Sequence, residues 1–155
     1  MNPRDQYEIY FWVIFLGIAF FIHWRRSTKN KKWLSETFAP LLQSKTEGGM
    51  WFFGQCKMDG FYNGRAVEIS LTQNKGTKWI SIQSAVRLPP GKSISWYRSM
   101  FGIKIEPDYT LRGKKIHYTF VEGGFRKKKK FEDPQGILNR LLEVCNRVES
   151  GNFKV

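Results

Sequence analysis

Between Ile9 and Ile22 the chain runs fourteen residues without a charge, and with the flanking aromatic residues the segment extends from Tyr7 to Trp24, where Arg25 and Arg26 close it. No other feature constrains the fold as strongly. As a helix, Tyr7–Trp24 is 18 residues long, roughly 27 Å at about 1.5 Å per residue. Crossing the hydrocarbon core takes about 20 apolar residues. The shortfall is met when Tyr7, Tyr10 and Trp12 near one end, and His23 and Trp24 at the other, seat in the interfaces that favour amphipathic rings. A helix of a soluble core would show a polar face, and Ile9–Ile22 has none. A cleaved signal needs a basic start and a small-residue cleavage site. Here Arg4 is followed by Asp5 and Glu8, and no A-x-A pattern occurs. The expectation is a transmembrane helix over 7–24.

Orientation follows from the flanks. Arg4 is the one basic residue before the segment, whereas Arg25, Arg26, Lys29, Lys31 and Lys32 follow it. Basic residues stay on the cytoplasmic side. This predicts a single-pass protein with residues 1–6 as a short extracytoplasmic tail and the larger C-terminal part in the cytoplasm. Cys56 and Cys145 are the only cysteines and form no C-x-x-C pair, which agrees with a reducing compartment.

Removing Arg4, Asp5 and Glu8 with the first 24 residues leaves 25 basic and 11 acidic side chains, a net charge of +14. Such an excess favours anionic partners, whether headgroups, nucleic acid or an acidic protein face. The domain organisation expected is a basic juxtamembrane linker at 25–32, one basic cytoplasmic α+β domain at 33–150, and a tail at 151–155.

Within the domain, Leu34, Phe38, Leu41 and Leu42 recur at helical spacing, which predicts a short helix over 33–44, bent or split by Pro40. Strand patterns follow. Met50–Met58 reads as a strand, and Asp59-Gly60 and Asn63-Gly64 read as turns. Arg65–Thr72 and Lys78–Leu88 alternate apolar and polar residues, the signature of half-buried strands joined in an antiparallel meander. Pro89-Pro90-Gly91 interrupts the pattern, and Ser93–Phe101 suits a short helix or a loop. Ile103–Glu106 and Tyr109–Leu111 are weak strands around Pro107, and Lys115–Val121 is a strong one. A Gly123-Gly124 hairpin leads into Phe125–Phe131. Asp133-Pro134 is an N-cap and first-turn pair. It opens a helix to about Glu149 with Ile137, Leu138, Leu141, Leu142, Cys145 and Val148 on its apolar face, and Gly151 just beyond it. The fold class expected is α+β: an antiparallel sheet of five or six strands, packed by a C-terminal helix and a short N-terminal helix.

No catalytic set is recognisable. His23 falls at the membrane boundary, and His117 alternates away from Ile116 and Tyr118; neither has a neighbour at metal-ligand spacing. There is no G-x-S-x-G and no G-x-G-x-x-G. Gly49 and Gly54 have P-loop spacing, but Gln55-Cys56 follows in place of Lys-Ser/Thr. Glu106 and Asp108 flank Pro107, an arrangement common in turns. Neither metal nor cofactor is expected.

Two basic clusters remain. Arg25, Arg26, Lys29, Lys31 and Lys32 set orientation and also attract anionic lipid, at about 1 kcal/mol per residue near the surface. Arg126, Lys127, Lys128, Lys129 and Lys130 lie between Phe125 and Phe131. One or two lysines protect a strand edge, and five in a row exceed that need, which favours contact with an anion. A third candidate is an aromatic interface of Trp96, Tyr97 and Phe101 among Lys92, Arg98 and Lys104. The functional expectation is a non-enzymatic, membrane-anchored accessory or scaffold protein whose basic domain contacts the lipid bilayer or another membrane protein or complex. The alternatives are a membrane-tethered nucleic-acid-binding protein and an enzyme whose site comes from distant residues. No RNP1-like readout motif favours nucleic acid.

Overall fold

The computed structural model describes residues 3–48, 55–74, 76–123 and 131–153. Its first element is one unbroken helix, α1, over Pro3–Phe38, 36 residues and so about 54 Å long. Residues 6–26 are exposed throughout, including every large apolar side chain between Tyr7 and Trp24. Among the described residues this is the one helix long and apolar enough to cross a membrane, with a window of mean hydropathy 1.5 of which none is buried. From Ser27 onward the helix enters the domain. Ser27, Asn30, Leu34 and Phe38 are buried, and their three- and four-residue spacing places them on one stripe. The polar connector expected at 25–32 is therefore helical, and no separate N-terminal helix exists. What read as a short helix from Trp33 is the last part of α1. The helix stops at Phe38 because Pro40 has no N–H to donate and disfavours the α conformation at Ala39. The backbone amides of Leu41 and Leu42 instead donate to the carbonyl of Phe38, at 3.0 and 3.1 Å.

Among the described residues seven strands follow: β1 (Gln43–Gly48), β2 (Gln55–Tyr62), β3 (Arg65–Asn74), β4 (Thr77–Ala85), then β5 (Ile103–Glu106), β6 (Tyr109–Arg112) and β7 (Lys115–Glu122). They form one sheet in the order β1-β2-β3-β4-β7-β6-β5, and all neighbours are antiparallel. The α+β class stands. The strand count exceeds five or six because Gln43–Gly48, expected to be helical up to Ser44, pairs with β2. The Asp59-Gly60 turn does not form either; both residues lie inside β2. Gly60 is needed there because a Cβ would come within 3.1 Å of the Leu42 side chain, where the chain leaving α1 crosses β2. Asn63 and Gly64 do turn the chain, with φ of 48° and 77°, the pair of positive values a two-residue type I′ hairpin requires. The segment between β4 and β5 contains a short helix, α2 (Trp96–Phe101), packed near β6. The expected strand through Arg126–Lys130 lies outside the described residues, as do Met50–Gly54 of the expected first strand.

Alternation decides what the sheet buries. Cys56 and Met58 of β2, Ile69 and Leu71 of β3, Ile80 and Ile82 of β4, Ile116 of β7 and Leu111 of β6 are each 0% exposed. Leu34 and Phe38 of α1 cover them together with Leu138, Leu141, Val144, Cys145 and Val148 of the last helix, α3 (Pro134–Glu149). Full burial of one such side chain stabilises the fold by about 1.5–3 kcal/mol. Phe131 links α1 to β7, its ring 5.7 Å from Trp33, 5.8 Å from Phe38 and 5.4 Å from Phe120. The expected caps of α3 are present. The Asp133 carboxylate accepts the Gly136 N–H at 2.8 Å, and Pro134 occupies the first turn. At the other end Gly151 has φ of 81°. The amides of Gly151 and Asn152 donate to Val148 and Arg147 carbonyls, the pair of bonds of a Schellman cap.

Candidate functional site

The geometry of α1 organises every candidate surface. Arg25, Arg26, Lys29, Lys31 and Lys32 are all exposed on it. At about 100° per residue, Arg25, Lys29 and Lys32 fall opposite the buried stripe of Ser27, Asn30, Leu34 and Phe38, with Arg26 and Lys31 on its flanks. The helix therefore carries one surface that packs on the sheet and a basic surface turned away from it. Lys32 also approaches Glu36 at 3.7 Å, an exposed i,i+4 pair of little energetic weight. The five charges occupy the first two turns after Trp24, about 12 Å along the axis. That exceeds the Debye length of roughly 8 Å at physiological salt: along the axis Arg25, Arg26 and Lys29 fall within that length of Trp24, and Lys31 and Lys32 beyond it.

Where α1 meets the sheet, the contact is polar before it becomes apolar. The Cys56 thiol donates to the Ser27 carbonyl at 3.7 Å, and its sulfur lies 4.0 Å from the Ser27 hydroxyl. Burial pushes the Cys56 thiol up, against smaller downward effects of the Ser27 hydrogen bond and Lys31. Asn30 is 4% exposed, and its Nδ2 finds no hydrogen-bond partner among the described residues. Ser27 and Asn30 were assigned to a linker from sequence. The signal that reveals them is the helical spacing 27, 30, 34, 38, which begins upstream of Trp33.

Arg126–Lys130 lie outside the described residues. Their flanks do not: Glu122, the last residue of β7, is paired with Lys78 at 3.4 Å, and Phe131 packs on Trp33. Lys78 also places its ammonium 5.4 Å from the Trp33 ring centroid. The described residues on either side of that segment, Glu122 and Phe131, thus lie near Trp33 of α1. The aromatic candidate is placed differently. Trp96, Tyr97 and Phe101 belong to α2, which packs near β6, toward the β5 end of the sheet and away from the β2 strand that α1 meets. Phe101 is exposed, and the side chains of Trp96 and Tyr97 lie outside the described set. The structure does not bring these aromatics together with the juxtamembrane basic cluster.

Glu106, Glu68 and Glu149 are each engaged by cations. Glu106 accepts from Arg140 at 2.6 and 3.0 Å and from Arg147. Burial alone would raise its carboxyl, but the two guanidinium hydrogen bonds outweigh that and hold it below the usual range. Asp108 takes no part in this cluster. Glu68 bridges Lys57 at 3.0 Å and Lys115 at 3.2 Å on the opposite face of the sheet. Glu149 is held by Arg65 at 2.6 Å beside a concavity of about 680 Å³ lined by Asn63, Arg87 and Asn146. These are the pairings of a structural charge network. His117 sits on the outer face opposite Gln83 and Thr110, and burial lowers its affinity for a proton. Among the described residues no three His, Cys, Asp or Glu side chains come together at metal-binding distance. No protein-family model, curated protein or solved structure matches the chain.

Proposed function

We propose that this chain is a membrane-anchored, non-enzymatic accessory protein. Residues 7–24 cross the bilayer with the N-terminus outside, and the basic α+β domain is held against the cytoplasmic leaflet, where it contacts anionic headgroups and the larger membrane complex it serves. The continuity of α1 carries the reading. One helix is exposed over 7–24, with no charge from Ile9 to Ile22, and from Ser27 to Phe38 buries the stripe of Ser27, Asn30, Leu34 and Phe38 in the domain. A flexible leash would leave the domain free to tumble. A helix that is both anchor and core element fixes its height and its angle, and an anchored domain meets its partner at a high effective concentration. Five exposed basic residues follow Trp24; the three nearest it, Arg25, Arg26 and Lys29, add about 1 kcal/mol each at an anionic surface, and the cluster's place on the C-terminal side of the segment favours the N-out orientation.

The test combines extraction and topology. The protein is expected to resist alkaline carbonate extraction, and a reporter active only outside the cytoplasm, fused after Val155, is expected to stay silent. Gentle detergent extraction should recover the chain with a second membrane protein, or with binding to vesicles that depends on anionic lipid and weakens with salt. Active external reporter, or a free monomer indifferent to lipid charge, would overturn the proposal.

A further inference from the structure

We infer that the end of the sheet nearest the span, carrying Trp79 and Val121, seats in the headgroup layer as a second membrane contact. The inference rests on the membrane-anchored reading and adds the surface through which the domain meets lipid.

The level of each strand residue can be measured from α1. Ser27 touches Cys56, and Leu42, beyond the helix end, lies against Gly60. The last turns of α1 therefore run along β2 in the same direction, with Cys56 at the end nearer the span. Strand register carries that level across the sheet, from Cys56 to Leu71, Ile80 and Phe120. One row closer to the span stand Gln55, Thr72, Trp79 and Val121, paired in that order. A strand residue advances about 3.3 Å, and Ser27 is three helical residues, about 4.5 Å, below Trp24. The row of Trp79 and Val121 thus comes level with Trp24–Arg26, the boundary between the apolar segment and its basic flank.

The chemistry of this row suits that level. Trp79 and Val121 are 38% and 45% exposed and point to the face that neither α1 nor α3 covers. A single exposed apolar residue is ordinary, but Trp is the side chain that prefers the bilayer interface, where its ring is partly buried and its N–H stays wet. The next row on the same face, Lys57, Ser70, Ser81 and Thr119, holds no carboxylate, and its Lys57 is paired with Glu68. Carboxylates first appear in the third row, as Asp59 and Glu68. At the near end the Glu122 carboxylate is neutralised by Lys78. Nothing in these two rows opposes approach to an anionic surface. Phe61, on the same face but at the far end of β2, is 47% exposed and supplies an internal control of equal exposure and different depth.

Spin labels read the depth directly. Trp79→Cys, Val121→Cys, Phe61→Cys and Leu16→Cys are each labelled in the full chain; the native thiols are buried and stay silent. Each protein is reconstituted into vesicles of phosphatidylcholine with one quarter phosphatidylglycerol. Collision rates with oxygen, which concentrates in lipid, and with a water-soluble nickel chelate are then compared. Labels at 79 and 121 should collide with the nickel chelate several-fold less often than the label at 61, and the label at 16 should be shielded most. A lipid-immersed label at 16 with labels at 79 and 121 as wet as that at 61 would overturn the second contact while leaving the anchor intact. A wet label at 16 would overturn the anchor and this inference together.

Discussion

Glu149 is the acceptor on which three parts of the domain converge. Its carboxylate takes both arms of the Arg65 guanidinium, at 2.6 and 3.0 Å, and the backbone N–H of Arg87 at 3.1 Å. The Arg65 hydrogen bonds are the main cause that holds the carboxyl below the usual glutamate range, with burial working the other way. Folded Glu149 thus binds a proton more weakly than unfolded Glu149. Its contribution to stability is complete above the ordinary glutamate range and fades as pH falls through it. Glu149→Gln should cost about 1–2 kcal/mol at neutral pH and flatten the loss of stability between about pH 5 and pH 3, read by urea unfolding in mild detergent. An unchanged acid limb would contradict the assignment. A second expectation concerns the thiols. Cys56 and Cys145 are buried, and burial pushes the Cys145 thiol up to about 11. Neither should react with a thiol reagent until the protein unfolds, when both should. Cys145 was legible in the sequence because it falls on the apolar stripe of a helix with strong periodicity. The Arg65–Glu149 pair was not, because its members are 84 positions apart and no local spacing joins them.

At the scale of the element, the start of α3 shows how one residue's choice depends on another. Asp133 caps the helix from a left-handed conformation, φ 56°, and its carboxylate occupies the space a side chain on Gly136 would fill. Glycine in a helix normally costs about 1 kcal/mol relative to alanine, so Gly136→Ala would ordinarily stabilise. Here it should destabilise, because the new methyl evicts a cap worth about 1 kcal/mol. In an Asp133→Gly background, which has no carboxylate and tolerates the positive φ, the same Gly136→Ala change should stabilise. Thermal unfolding of the four proteins in that cycle decides it; additive effects would mean the two positions do not interact. The cap itself could be read from Asp133-Pro134, whereas the reason for Gly136 needed coordinates. The same division holds for α1. Its apolar part announces itself by composition, but its polar continuation was mistaken for a connector because five basic residues mask the 27, 30, 34, 38 stripe. The first strand was missed for a related reason: Gln43–Gly48 has no apolar alternation, and it pairs because Leu42 and Gly60 bring it to the edge of β2.

For the whole molecule, the question is where the membrane segment ends and the domain begins, and truncation answers it in three steps. Residues 6–26 are exposed, and burial begins at Ser27. A protein starting at Arg25 should therefore fold, remain soluble and unfold at nearly the temperature of the detergent-solubilised full chain. A start at Trp33, the boundary expected from sequence, removes Ser27 and Asn30, which are 3% and 4% exposed. It uncovers Cys56 and leaves the new helix terminus without the turn that packed on β2. Losing Asn30 alone should cost little, because its buried Nδ2, which has no partner among the described residues, already carries a penalty of about 1–3 kcal/mol. Losing the whole turn should lower stability measurably. A start at Ala39 removes Leu34 and Phe38, which are 2% and 0% exposed and are among the largest fully buried side chains. Large-to-small changes at such sites cost about 2–5 kcal/mol each, against a total stability of about 5–15 kcal/mol for a typical domain, so this protein should not fold. Graded loss across the three starts, read by circular dichroism and thermal unfolding, would establish that α1 belongs to the domain as much as to the membrane. Equal stability of the first two would restore a boundary at Trp33, and with it a linker that leaves the domain free to turn at the bilayer surface.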